Sequence, residues 1–271
     1  MHGRRLLASA ALAIAAALPL RAATSYDHYV DLQLVLAVDV SGSMDYFEQQ
    51  VQRKGYVQAF RDPEVISAIT SGPYGRIAVT YVHWAGAFFQ QAIVPWTVIG
   101  SKDDALAFAG QLAKAPYDSQ RGTSISGGLL YAASAFDVSN VDSDRRTIDV
   151  SGDGSNNDGV ALVPVRDRLV KQGITINGLP ILINPSGVPG TAFTTGLDDY
   201  YQDCVIGGPN SFVVPIKTLQ GFGPAIRRKL ILEIASLPLP SLVTPVVDTL
   251  TTTKVDCAAA ERNRINTFGI P

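Results

Sequence analysis

Residues 32–38 form a nearly unbroken apolar run, Leu-Gln-Leu-Val-Leu-Ala-Val, that stops at Asp39. A run this short reads as a strand, and one without alternation needs apolar cover on both faces, which points to a parallel sheet between helix layers. Whatever follows Asp39 then sits at the carboxyl end of a buried strand, where open α/β sheets bind their ligands. Val40-Ser41-Gly42-Ser43 follows, so three oxygen-bearing side chains stand at alternate positions of one tight turn.

Beyond the turn the pattern predicts a helix with Met44, Phe47, Val51 and Gly55 on its packed face and Glu48, Gln49, Gln52 and Arg53 outward, ending near Pro63. Residues 76–84 and 88–98 read as strands, and the short link Ala85-Gly86-Ala87 favours an antiparallel pair. Further helices are expected at 103–113, 126–136, 160–172 and 218–235, with strands at 147–151 and 174–183 and a weak one at 212–214. This alternation predicts one α/β domain over residues 30–235, with a parallel-rich sheet and helices on both faces. From residue 236 onward, Pro238, Pro240, Pro245 and the run of residues 249–253 predict an extended tail to residue 271.

The amino terminus reads as an export signal over residues 1–23. Arg4-Arg5 precedes an apolar run at residues 6–20, short for a bilayer of about 30 Å and of signal-peptide length. The expectation is an exported protein, periplasmic or secreted, with an N-terminal anchor as the competing reading. The full sequence has 22 Lys and Arg against 24 Asp and Glu; removing residues 1–23 takes away three arginines and no acid, leaving a net charge of −5. That balance excludes a nucleic-acid-binding surface. No membrane span is expected in the mature chain, because Glu233 and three prolines interrupt residues 230–247. The two cysteines, Cys204 and Cys257, either pair as a disulfide or remain two separate thiols. The three histidines are far apart in sequence and form no zinc-spaced cluster.

Asp39, Ser41 and Ser43 are hard oxygen donors with a single carboxylate, a set that suits Mg²⁺. Alone, they are equally well read as caps of the following helix. Two later loops add to them: Arg121-Gly122-Thr123-Ser124 before a helix, and Val150-Ser151-Gly152-Asp153-Gly154 after a strand. Together these residues resemble the metal-ion-dependent adhesion site of von Willebrand factor type A domains. The runs 38–44, 82–86, 122–127, 149–157 and 203–209 resemble, more narrowly, a bacterial branch of unknown function.

The resemblance implies a doubly wound, mostly parallel α/β sheet with an antiparallel edge strand. It also implies that Asp39, Ser41, Ser43, Thr123 and Asp153 hold one Mg²⁺ or Mn²⁺. Binding rather than turnover is the expected chemistry: neutral hydroxyls leave the cation's charge partly uncompensated, so an acidic side chain of a protein partner completes its coordination. A metal-assisted hydrolase and a structural module with no bound metal are the alternatives. Asp149 and His83 are candidates for orienting the ligand residues, with a satisfied strand-end Asp and a packed aromatic pair as their simpler readings. The stretch 153–159 mimics a calcium loop but misplaces its glycine and lacks the closing Glu. Arg227-Arg228-Lys229 is expected on a solvated helix face.

Overall fold

The computed structural model describes residues 28–183, 196–235 and 255–262, so residues 1–23 and most of the expected tail lie outside the described residues. The strands are β1 Gln33–Asp39, β2 Ile77–Trp84, β3 Gln90–Ile99, β4 Arg146–Gly152 and β5 Ile174–Pro180. The helices are α1 Tyr46–Ala59, α2 Pro63–Thr70, α3 Lys102–Lys114, α4 Ile125–Phe136, α5 Leu162–Lys171, the single turn α6 Leu197–Tyr200, and α7 Phe222–Ala235.

The sheet order is β3-β2-β1-β4-β5. Parallel pairing joins β2 to β1, β1 to β4 and β4 to β5, and β3 closes one edge antiparallel to β2. This is the expected doubly wound sheet. Every residue of β1 is buried. Leu34, Leu36 and Val38 pack toward α1, α2, α3 and α7, whereas Val35 and Ala37 pack toward α4 and α5. The strand's period of two thus feeds two separate cores. Because β1 lies between β2 and β4, the loops leaving β1 and β4 open a crevice beside Asp39.

Helix α1 corrects the sequence reading. Glu48, Gln49, Gln52 and Arg53 are buried, while Phe47 is 54% exposed. The inward polar groups are partly satisfied: Gln52 Nε2 donates to Ser151 Oγ at 2.9 Å, Gln49 Nε2 to the Met44 carbonyl at 3.1 Å, and Arg53 Nη2 to the Pro116 carbonyl at 2.7 Å, while Gln49 Oε1, Gln52 Oε1 and Arg53 Nε find no partner among the described residues. An apolar-periodicity argument cannot see a helix face that is buried through hydrogen bonds. Pro63 opens α2 rather than closing α1, with the Asp62 carboxylate accepting from the Glu64 N–H at 2.8 Å.

Lys229 is a second correction. It is 0% exposed, and its Nζ lies 2.8 Å from Asp149 Oδ1 and also bonds Glu233 one helical turn on. Of the expected solvated trio, Arg228 is exposed and half-buried Arg227 pairs with Asp62 and Glu64, so Lys229 alone departs from the expectation. Residues 212–214 make isolated bridges to β5 rather than a strand, and α7 starts at Phe222 after a 3₁₀ turn, Leu219–Gly221.

Residues 255–262 return to the domain. Cys257 and Cys204 form a disulfide with their Cα atoms 5.5 Å apart. Glu261 Oε1 accepts from the Leu162 N–H at 2.9 Å. Helix α5 has Ala161 at its N-cap and no local side-chain cap, so the distant carboxylate supplies the missing acceptor.

Candidate metal centre

The first loop turns sharply because the Asp39 carboxylate accepts from the Ser41 N–H at 2.7 Å and the Ser41 carbonyl accepts from the Met44 N–H at 3.0 Å. This turn brings Ser41 Oγ within 3.1 Å of Ser43 Oγ. Ser43 Oγ in turn donates to Asp153 Oδ1 at 2.7 Å, linking the loop after β1 to the loop after β4. Thr123 joins from the second loop: a methyl group built on Gly154 would lie 3.7 Å from its Oγ1. Asp39, Ser41, Thr123 and Asp153 are buried, and Ser43 is exposed. Hydrogen bonds thus join Asp39, Ser41, Ser43 and Asp153, and Thr123 stands against Gly154, the neighbour of Asp153 in sequence.

Two asparagines hold the loops in register. Asn157 Oδ1 accepts from the Thr123 N–H at 3.0 Å, and the Thr123 carbonyl accepts from the N–H groups of Asn157 and Asp158. Asn156 Oδ1 accepts from the Ser126 N–H at 3.0 Å, while its Nδ2 donates to Glu261 at 2.8 Å. The calcium-loop look-alike is thus a clamp between the second and third loops. Asn and Asp side chains are suited to that task because they bond backbone groups at short range.

Electrostatics favour a cation. Burial, reinforced by the charge of Asp153, raises the Asp39 carboxyl well above the usual carboxylate range, and burial likewise raises Asp153 against the bond from Ser43. Asp39 Oδ2 is buried with no hydrogen-bond partner. The same is true of the Tyr201 hydroxyl, and both atoms lie against Gly152, at 2.7 and 3.0 Å from where its side chain would begin. An unpaired buried carboxylate oxygen is costly in a folded chain, and a bound divalent ion would offset that cost. The donor set fits: two carboxylates and three hydroxyls are hard oxygen groups of the kind Mg²⁺ and Mn²⁺ take.

Asp149 and His83 lie elsewhere. Asp149 faces α7 and pairs with Lys229; burial raises its carboxyl, and the ammonium opposes the shift. His83 Nδ1 lies 2.8 Å from Asp118 Oδ2, its Nε2 is 3.3 Å from Arg53, and its ring meets Tyr81 edge-on. Burial lowers its pKa. Several residues around the pocket carried no signal in the five-residue motif. Tyr201 sits in a π-helical turn, Tyr201–Val205, and Glu48 is pushed up to about 7 by burial together with the charges of Asp45 and Asp153. The nearest sequence signal for them was the runs 149–157 and 203–209, which include Asn156, Asn157 and Cys204.

The fold is that of von Willebrand factor type A domains, and solved structures share it at low identity. The pilus adhesin SpaC from Lactobacillus rhamnosus GG superposes with a TM-score of 0.56 at 13% identity, covering 76% of this chain and 31% of the adhesin. Proximal thread matrix protein 1 from the mussel byssus, solved with a zinc-occupied MIDAS motif, gives 0.54 at 16% identity, covering 76% of this chain and 46% of the byssus protein. This chain thus spans less than half the length of either structure. No protein of curated function matches the sequence significantly. One family model, described as Protein of unknown function (DUF1194), matches residues 29–238. That match spans the whole sheet and all three loops of the candidate centre, and the chain belongs to this family.

Proposed function

We propose that the chain is an exported protein-interaction module whose residues Asp39, Ser41, Ser43, Thr123 and Asp153 hold Mg²⁺ or Mn²⁺. The cation supplies a Lewis-acidic site for an Asp or Glu side chain of a partner protein. The observation that carries this reading is the unpaired, buried Oδ2 of Asp39 beside the Ser41–Ser43–Asp153 hydrogen-bond chain. Exposed Ser43 gives the pocket its way in for a partner group. The byssus protein's zinc-occupied MIDAS motif and the adhesin role of SpaC support a cation-dependent contact rather than turnover. Among the described residues no helix is long and apolar enough to cross a membrane, in keeping with a periplasmic or secreted protein.

Crosslinking in the exported compartment tests the reading. A partner is expected to crosslink to wild-type chain in Mg²⁺ and to be lost with chelator or in Asp39→Ala. Crosslinking that survives both treatments contradicts the proposal.

A further inference from the structure

Half of the ten large apolar side chains left in water among the described residues gather at one end of the sheet. Among the described residues, Phe88, Tyr46, Phe47, Tyr117 and Val160 are exposed, and all five surround the carboxyl ends of the parallel strands where the candidate metal pocket opens. Phe88 is fully exposed at the tip of the β2–β3 turn; Tyr46 and Phe47 (60% and 54% exposed) begin α1 directly after the first loop. Tyr117 precedes the second loop, and Val160 follows the third. The other five are Val98, Leu106 and Val138, which lie elsewhere, and Tyr29 and Tyr74, which stack on each other at the opposite end of the sheet.

These side chains stand on rigid supports. The Phe88 turn is closed by the Phe89 N–H donating to Gly86 O at 3.1 Å and the Ala85 N–H to Phe89 O at 3.1 Å. It is fastened to the third loop, where Asp158 Oδ2 accepts from the Ala87 N–H at 2.9 Å, and to the second, where the Ser124 N–H donates to Ala85 O at 2.7 Å. Tyr46 meets Tyr117 edge-on at 4.9 Å, and the guanidinium of buried Arg53 lies 4.0 Å from the Tyr117 ring centre. Aromatic groups fixed before binding lose little freedom on binding, which is the condition for an interface anchor.

Charged side chains of both signs stand on the same face. Arg121 is exposed on the second loop, beside Thr123. The neighbouring acids Asp45 and Asp158 are engaged by backbone N–H groups of Glu48, Ala87 and Gly159. We propose that this face docks a protein segment in which the metal-bridging carboxylate is flanked by apolar side chains, with Phe88 and the Tyr46–Tyr117 pair as anchors. The inference rests on the metal-bridged reading above and specifies the partner that reading leaves open.

The test is selection of a displayed random-peptide library on the full chain in Mg²⁺ with elution by EDTA, followed by binding of one synthetic selected peptide. Eluted clones are expected to carry an Asp or Glu with an apolar residue within two positions. Phe88→Ser is expected to weaken the peptide at least about tenfold with Mg²⁺ affinity unchanged by calorimetry. Acidic clones without apolar enrichment, or a Phe88→Ser variant that binds as wild type, overturn the docking proposal and leave the metal-bridged reading standing. A selection that yields no EDTA-eluted clones contradicts both.

Discussion

Asp39 stands at the end of a fully buried strand, where its carboxylate closes a turn with one oxygen and leaves the other unpaired. That second oxygen is a stability cost, which the proposed cation would offset. Asp39→Asn keeps an acceptor for the Ser41 N–H while removing the repulsion from Asp153. In EDTA at neutral pH the variant is expected to be more stable than wild type by about 1 kcal/mol in urea denaturation, while losing its cation site. Gly152→Ala makes the opposite prediction. Its methyl group would fall 2.7 Å from Asp39 Oδ2, so the variant is expected to lose about 1–3 kcal/mol and to bind the cation more weakly. At this scale the sequence was informative where chemistry is local: D-x-S-x-S, Thr123 and Asp153 are recognisable as oxygen donors on loops. Tyr201 was not, because only the fold carries its hydroxyl to the strand end.

Among the elements, α7 and α1 depart most from what periodicity predicts. Lys229 sits between Asp149 and Glu233, two acids for one ammonium. Burial pulls the Lys229 pKa down, but the two carboxylates outweigh it and hold the amine above its ordinary value. Glu233 is pushed up to about 7, by burial first and then by the charge of Asp149. A carboxyl whose folded pKa is raised stabilises the fold below its unfolded pKa of 4.5, and that contribution is lost as pH rises toward 7. His83, with a lowered pKa, has the opposite sign as pH falls below 6.5, and Glu48, Asp39, Asp149 and Asp153 are further carboxyls with raised pKa, so the wild-type profile is a composite. Comparison with Glu233→Gln isolates the first: the stability of wild type relative to the variant is expected to fall by about 2 kcal/mol between pH 5 and pH 8. Hydropathy placed these polar residues outside because it scores each side chain without its partner. Lys229 and Gln52 are inside because Asp149 and Ser151 reach them from β4, and Glu48 because it closes a capping box with Asp45 at the start of its own helix. By contrast β1, whose burial needs only apolar neighbours, was legible in full.

Across the whole molecule, residues 255–262 are tied to the candidate metal centre. The disulfide spans 53 residues, fastening residue 257 to the π-helical turn that carries Tyr201. Glu261 then bridges Asn156 and the first turn of α5. A double Cys204→Ser, Cys257→Ser variant is expected to lose about 2–4 kcal/mol in reversible denaturation, with the loop-closure model accounting for most of it. The parallel-rich sheet and its antiparallel β2–β3 pair followed from alternation and the short link, but the return of residues 255–262 did not, since the Pro- and Thr-rich stretch before them carries no periodic pattern. The central claim remains that three loops at the head of this sheet bind one divalent cation. Isothermal titration of the wild-type chain with Mg²⁺ tests it most directly, beside the same titration of Asp39→Ala. One saturable site in wild type that is absent from the variant is predicted; no binding in wild type, or equal binding in both, would contradict it.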